Sequence, residues 1–263
     1  MKARFRRAIW LVIVTALVAV VGYKVFWPQP SVPIPTLPPP DVETVFQLVS
    51  ELGFGSSEDL KEWREFSFDG YSKYSIETDE EEGTFLKASS KDTCSGIFKE
   101  IKVSMEHRPF LSWEWRVTKF PSNKKEGTSL TEKSDCDFGA RVCVVFAGDT
   151  PFSSHYIWYV WDDRFKEGAH ADSSGTLKRT KVLVVEDSAG GDGSGWVFER
   201  RDVVEDYRKL FGTYPKLAFH SVGIMTDSDH THTDSAAEFR NVRIYKEVPV
   251  NNGGKPPAPE SPK

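Results

Sequence analysis

Apolar and polar positions alternate along most of the chain between residues 66 and 245. In residues 111–118, Trp113, Trp115 and Val117 fall on one side, and Ser112, Glu114, Arg116 and Thr118 on the other. In residues 140–146, Ala140, Val142, Val144 and Phe146 share one side, and Arg141 shares the other with Cys143 and Val145. A period of two is the mark of a strand, whose side chains point to opposite faces in turn. Similar stretches rich in β-branched and aromatic residues cover 71–78, 84–89, 98–103, 155–161, 181–186, 196–201, 217–225 and 238–245. Gly, Asp and Ser clusters separate them. Among these, Asp192-Gly-Ser-Gly195 reads as a hairpin turn.

A period near 3.6 shows in two places. Asp41 is placed to cap a helix carrying Val42, Val45, Phe46, Val49 and Leu52 on one face. Asp202 is placed to cap a second, over 203–211, with Val203, Tyr207, Leu210 and Phe211 inward and Gly212 as its stop. Ten short strands and two helices predict an all-β fold: an antiparallel β-sandwich of jelly-roll type with one or two short flanking helices.

The ends of the chain differ from its middle. Residues 1–7 carry four basic side chains and no acidic one, and 8–23 form an apolar run broken only mildly by Thr15 and Gly22. Val25-Phe26-Trp27 resumes it, giving about the 20 residues that cross a bilayer. The run lacks a convincing small-x-small cleavage site, so 1–27 reads as a basic cytoplasmic flank plus an uncleaved transmembrane signal anchor. The positive flank stays inside, and the rest of the chain faces outward. This predicts a single-pass inner-membrane protein with its C-terminal domain in the periplasm. Residues 28–40 hold seven prolines and form a linker. In polyproline II it would hold the domain roughly 40 Å from the bilayer. Residues 41–247 are the sandwich domain, and the proline- and glycine-rich 248–263 are a disordered tail.

Charge narrows the partners. The chain has 34 Lys plus Arg against 39 Asp plus Glu, and five of the basic residues precede residue 25. The outward part is therefore distinctly acidic, which excludes nucleic acid as its main partner. Of the three cysteines, Cys136 and Cys143 flank a strand start, a poor geometry for pairing with each other. A Cys94–Cys136 bridge is as good as any in an oxidising compartment, and the spacing matches no zinc or redox motif.

The candidate chemistry is polar and aromatic. Glu114 and Arg116 look outward from mid-strand, either as a solvated ion pair or as ligand contacts. Arg141, on a mostly apolar face, needs an anion, which Glu114, Asp137 or a ligand carboxylate would supply. His155-Tyr-Ile-Trp158-Tyr-Val-Trp161 is aromatic on both faces: a strand buried on both sides, or a stacking platform for sugars. The run Gly223-Ile-Met-Thr-Asp227-Ser-Asp229-His230-Thr231-His232-Thr-Asp234 ends a strand in dense polarity. Asp227, Asp229 and Thr231 at alternate positions would suit calcium, with Asp227 and Asp229 as the charged ligands. His230 and His232 alone are a weak transition-metal signal. The same run also fits a solvated or hydrogen-bonded loop. No motif in the chain fixes a reaction.

Several segments together resemble one family, the bacterial exported proteins of domain-of-unknown-function family 3047. They are Leu111-Ser-Trp-Glu-Trp-Arg-Val117, Ala140-Arg-Val-Cys-Val-Val-Phe146, His155-Tyr-Ile-Trp158 with Trp161, residues 196–212, and Gly223 through Thr231. The resemblance covers 66–245 and implies a jelly roll similar to galactose-binding-like carbohydrate modules, with 63–74 and 237–244 as its first and last strands. It implies no particular activity. Where the family has Asp-x-Asp-Asn-Thr, this chain has Asp227-Ser-Asp229-His230-Thr231, so Asp227, Asp229 and Thr231 carry over and His230 does not.

These readings converge on a membrane-anchored sandwich that binds a carbohydrate or envelope glycan. Its expected face comprises Glu114, Arg116, Arg141, Trp158, Trp161, Asp227, Asp229 and Thr231. Two alternatives stand beside it: a polysaccharide hydrolase or lyase using paired carboxylates such as Glu114 and Asp227, and a structural or scaffolding envelope protein.

Overall fold

The computed structural model describes residues 43–101, 103, 105, 108–122, 129–130, 137–148, 153–173, 178–187 and 195–250. Two sheets face each other. The first contains β1 (Thr44–Glu51), β3 (Lys73–Asp79), β4 (Gly83–Lys91), β6 (Pro109–Lys119), β11 (Val197–Asp202) and β13 (Asp234–Pro249). Its order is β11-β6-β13-β4-β3, with β1 also on β13. The second contains β2 (Arg64–Asp69), β5 (Cys94–Glu100), β7 (Ala140–Ala147), β8 (His155–Asp162), β9 (His170–Asp172), β10 (Thr180–Asp187) and β12 (Ala218–Asp227). Its order is β2-β5-β12-β7-β8-β10-β9.

The period-two stretches are strands, except that the one expected at 98–103 lies earlier, as β5, and alternation sorts their side chains as expected. Leu111, Trp113, Trp115 and Val117 of β6 meet Ala140, Val142, Val144 and Phe146 of β7 and Ile157, Tyr159 and Trp161 of β8 between the sheets. Trp113 stacks on Tyr159 across the gap with centroids 5.4 Å apart. Side chains of this size fully removed from water each contribute about 1.5–3 kcal/mol, which makes this layer the main source of stability. A second apolar layer covers the outer face of the larger sheet. Cys143, Val145, Trp158, Val160, Val182, Val184 and Met225 pack there under Leu130 and Phe138. That cover explains why every residue of β7 is buried although only half of them face the other sheet.

The helix α1 (Val203–Phe211) forms as expected. Asp202 accepts from the backbone N–H groups of Val204 and Glu205 at 3.1 and 3.0 Å, and Gly212 ends it at φ 75°. Arg201 and Tyr159 fasten it to the sandwich through Asp206, which accepts at 2.8–3.0 Å from both.

Four expectations need correction. Residues 44–51 are not helical; they are β1, paired antiparallel with residues 243–249 of β13. That ladder carries β13 two residues beyond the expected domain end at 247, so the expected tail begins inside a strand. The sandwich is not antiparallel throughout, because β8 and β10 pair in parallel. Two short strands, β2 and β9, lie at the edges of the larger sheet; alternation did not reveal them, although the family resemblance placed a first strand at 63–74. Cys94 and Cys143 are free thiols, and Cys136 lies outside the described residues. So do the segments expected as anchor and linker, the turn at Asp192–Gly195 apart from Gly195, and residues 251–263. Among the described residues no helix is long and apolar enough to cross a membrane.

Candidate functional site

The polar run that closes β12 folds into a buried knot on the outer face of the larger sheet. Asp227 follows Met225 on that face and stands near Arg141 of the neighbouring β7. Arg141 Nε donates to Asp227 Oδ1 at 3.0 Å, and its Nη2 donates to Oδ2. The Phe138 N–H adds 3.3 Å to Oδ1, and the guanidinium lies 4.6 Å over the Phe138 ring. The carboxylate that Arg141 grips with both its Nε and Nη2 is thus Asp227. Asp137 instead caps the run, accepting from the Thr231 backbone and hydroxyl, both at 2.7 Å, and from the His230 N–H at 3.3 Å. His230 Nδ1 is 3.1 Å from Asp229 Oδ2, while Asp229 Oδ1 is buried without a protein donor.

Electrostatics follow from burial. Burial lifts the Asp227 carboxyl to about 6, outweighing the opposing pull of Arg141. Burial also lifts Asp229, against the pull of His230. Asp137 is also penalised by burial, yet the Thr231 and His230 hydrogen bonds and Arg141 hold it below the ordinary carboxylate range. Burial raises the Cys94 thiol, and the Asp227 carboxylate, 3.7 Å away, raises it further.

The expected calcium set is not assembled. Both oxygens of Asp227 are taken by a guanidinium, whose positive charge opposes a second cation, and the Thr231 hydroxyl is turned to Asp137. Two other groups converge instead. One is Cys94, Asp227 and Asp229, and the other is Asp137, Asp229 and His230, each with ligand atoms within 4.8 Å.

The eight expected contact residues do not share one face. Arg141, Trp158, Asp227, Asp229 and Thr231 gather at the knot, with Arg141 lying 5.7 Å over the Trp158 ring. Trp161 packs in the main core against Trp115. Glu114 and Arg116 project from the opposite outer face, on β6 of the smaller sheet. There Glu114 accepts from Arg240 and Asn241, and Arg116 is held by Glu82 and Glu238 above Trp196. A glycosidase pair stands about 5–5.5 or 6.5–9.5 Å apart. Glu114 and Asp227 point away from each other across two sheets spaced about 10 Å, so they are not such a pair.

Beside the knot the same face is open. Phe98 of β5 is in register with Gly223 of β12, and its ring lies over that glycine. A methyl group on Gly223 would sit 2.3 Å from the ring, and one on Gly96 would sit 3.0 Å from it. Phe66 of β2 stands nearly perpendicular on one side, at 84° and 5.6 Å. Trp158 stands so on the other, at 81° and 6.2 Å. Phe98 is thus the floor of an aromatic trough and the other two are its walls. A cleft of about 180 Å³ opens along Phe66 and Phe98, rimmed by Arg64, Lys99, Glu100 and Ser221. Sequence reasoning reached Trp158 but missed Phe66 and Phe98. Their signal is the register that sets a ring against a glycine seven strands later in the chain order, and periodicity within one strand does not contain it.

Comparison with known proteins gives the following. No curated protein matches the sequence. Among solved structures, the family 30 carbohydrate-binding module of the Clostridium thermocellum cellulosomal cellulase Cel9D-Cel44B aligns at 8% identity and TM-score 0.38, over 80% of this chain and 100% of that one. A mannan-recognising carbohydrate-binding module, TmCBM27, aligns at 15% identity and TM-score 0.33, over 78% and 98%. The enzymatically active domain of bacteriophage CBA120 tailspike protein 4 aligns at 12% identity and TM-score 0.38, over 76% of this chain, which spans only 21% of that protein. None of these is close enough to carry an assignment. The family described as Protein of unknown function (DUF3047) matches residues 61–243, most of the chain, and the protein belongs to that family.

Proposed function

We propose that the protein binds a saccharide in the trough floored by Phe98, as a domain tethered to the inner membrane and facing the periplasm. One observation carries the reading: a phenyl ring laid over Gly223 and Gly96, between two perpendicular aromatic walls, beside an open cleft. The C–H face of a pyranose stacks on such a ring, and its hydroxyls need donors and acceptors at the rim. Arg64, Glu100 and Ser221 supply both. The cleft is small beside the 300–1,000 Å³ typical of drug-sized pockets, which suits one sugar ring at a time. Arg141 and Asp227 lie on the same face beside it, buried and paired with each other. The tether rests on the apolar run in residues 1–27.

The test is a glycan array of neutral and uronate-bearing chains, followed by calorimetry on the hits with wild type, Phe98→Ala and Phe66→Ala. Binding that both substitutions weaken supports the reading. A folded wild-type protein with no hit, or a hit indifferent to Phe98, overturns it.

A further inference from the structure

We propose that β1 is a self-pairing edge, through which two copies of the chain join their smaller sheets across a twofold axis. Strand edges offer unpaired N–H and C=O groups, and proteins usually blunt them with charges, bulges or short length. The other edges here follow that rule. The outer strand β9 has three residues, β2 carries Arg64, Glu65 and Asp69 with a bulge, β3 carries Lys73, Glu77 and Asp79, and β11 carries Glu199, Arg200, Arg201 and Asp202. β1 breaks it. Between Thr44 and Ser50 it has no charged residue and no proline, and among the described residues its only ladder partner is β13. Its side chains are nevertheless in water: Val45 is 49% exposed, Phe46 42%, Leu48 50% and Val49 40%.

The order of residues names the partner. Read outward from Gln47, the strand is Phe46 and Leu48, then Val45 and Val49, then Thr44 and Ser50. An antiparallel copy centred on Gln47 therefore sets Gln on Gln, Phe on Leu, Val on Val and Thr on Ser. A twofold contact must be complementary to itself, and this sequence is. Directly opposed apolar pairs in an antiparallel ladder stabilise it, whereas opposed like charges oppose it. The chain's excess of acidic side chains would repel a second copy at most places on its surface, but the stretch from Thr44 to Ser50 brings none. The nearest ones, Glu43 and Glu51, flank this stretch and face each other in that register, where the Arg243 guanidinium, 2.9 Å from Glu51, offsets their repulsion. Phe46 is held ready, edge-on to Phe110 at 4.8 Å with the Arg200 guanidinium over it at 4.4 Å. The bulge between Leu48 and Ser50 shifts only the outer pairs and leaves the three central ones in register.

The test uses the full-length chain in detergent or native membranes. Opposed Cα atoms in an antiparallel pair lie about 4.5–5.5 Å apart, within disulfide reach. Gln47→Cys should therefore become a covalent dimer under mild oxidation, while wild type, with its own three cysteines, stays a monomer on a non-reducing gel. Thr44→Cys places its two thiols about 20 Å apart and should not cross-link. Leu48→Lys, exposed and so tolerated by the fold, should halve the mass seen by light scattering with an unchanged circular dichroism spectrum. A folded Gln47→Cys protein that stays monomeric, cross-linking at Thr44→Cys as strong as at Gln47→Cys, or a Leu48→Lys mass equal to that of wild type overturns the proposal.

Discussion

Arg141 and Asp227 satisfy each other across neighbouring strands of the larger sheet, both shut away from water. Removing one partner of such a pair strands a buried charge, which costs about 3–5 kcal/mol, whereas replacing both with apolar residues is close to neutral. Asp227→Ala should therefore lower the free energy of unfolding by about that amount in a denaturant titration. Arg141→Met combined with Asp227→Leu should recover most of it. A loss that the double variant fails to recover would mean that the pair does more than fill its space.

Gly223→Ala tests the trough without removing any of its rings. The backbone at Gly223 is ordinary, so only the Phe98 ring, 2.3 Å from the new methyl, has to move. Saccharide affinity in calorimetry should fall roughly tenfold, about 1.4 kcal/mol, with the strand content by circular dichroism unchanged.

Glu199 gives the domain a pH dependence. Burial, against the pull of Arg201 and with the help of the Glu186 and Glu167 carboxylates, pushes it up to about 8. In the unfolded chain an ordinary Glu titrates near 4.3. Between these values the folded state keeps a proton that the unfolded state has lost, so stability falls as pH rises through this window and levels off above it. Glu199→Gln should raise the melting temperature at pH 8 and leave it nearly unchanged at pH 4. Equal shifts at both pH values would rule out this account.

Asp202 closes the first turn of α1 through two backbone N–H groups. Loss of such a cap costs about 1 kcal/mol. For a domain of this size Asp202→Ala should lower the melting temperature by about 2–4 °C. The Arg108 ion pair that Asp202 also makes pushes the effect towards the upper end.

The strands that alternate on their own terms, β6 and β7 above all, were legible in the sequence because local pattern and burial agree there. The helix at 203–211 was legible because its cap and stop lie within ten residues of each other. The two largest misreadings are one event seen from both ends. Val45, Phe46, Val49 and Leu52 fit a helical face, and residues 248–249 fit a tail, until each segment finds the other as its ladder. No window along the chain contains both. At the site, the need of Arg141 for an anion was legible, but not which anion, because Asp227 reaches it only through the β7–β12 register. The density of polar groups at residues 227–234 was likewise plain. Whether they face a ligand or one another is decided by Asp137, 90 or more residues earlier, whose carboxylate takes the Thr231 and His230 donors.

The ladder between β1 and the end of β13 also sets an order of events. Thr44 donates to Glu247, 203 residues further on, and contacts of such separation slow folding because the loop must close first. A chain made from its N-terminus presents the uncharged strand at 44–50 long before its partner exists. Until the last strand arrives, the sandwich lacks both the mate of its first strand and the centre of its smaller sheet, where β13 lies between β6 and β4. Assembly therefore waits until β13 has been made, and cutting the chain before residue 243 should leave β1 without its mate and the uncharged strand prone to aggregate.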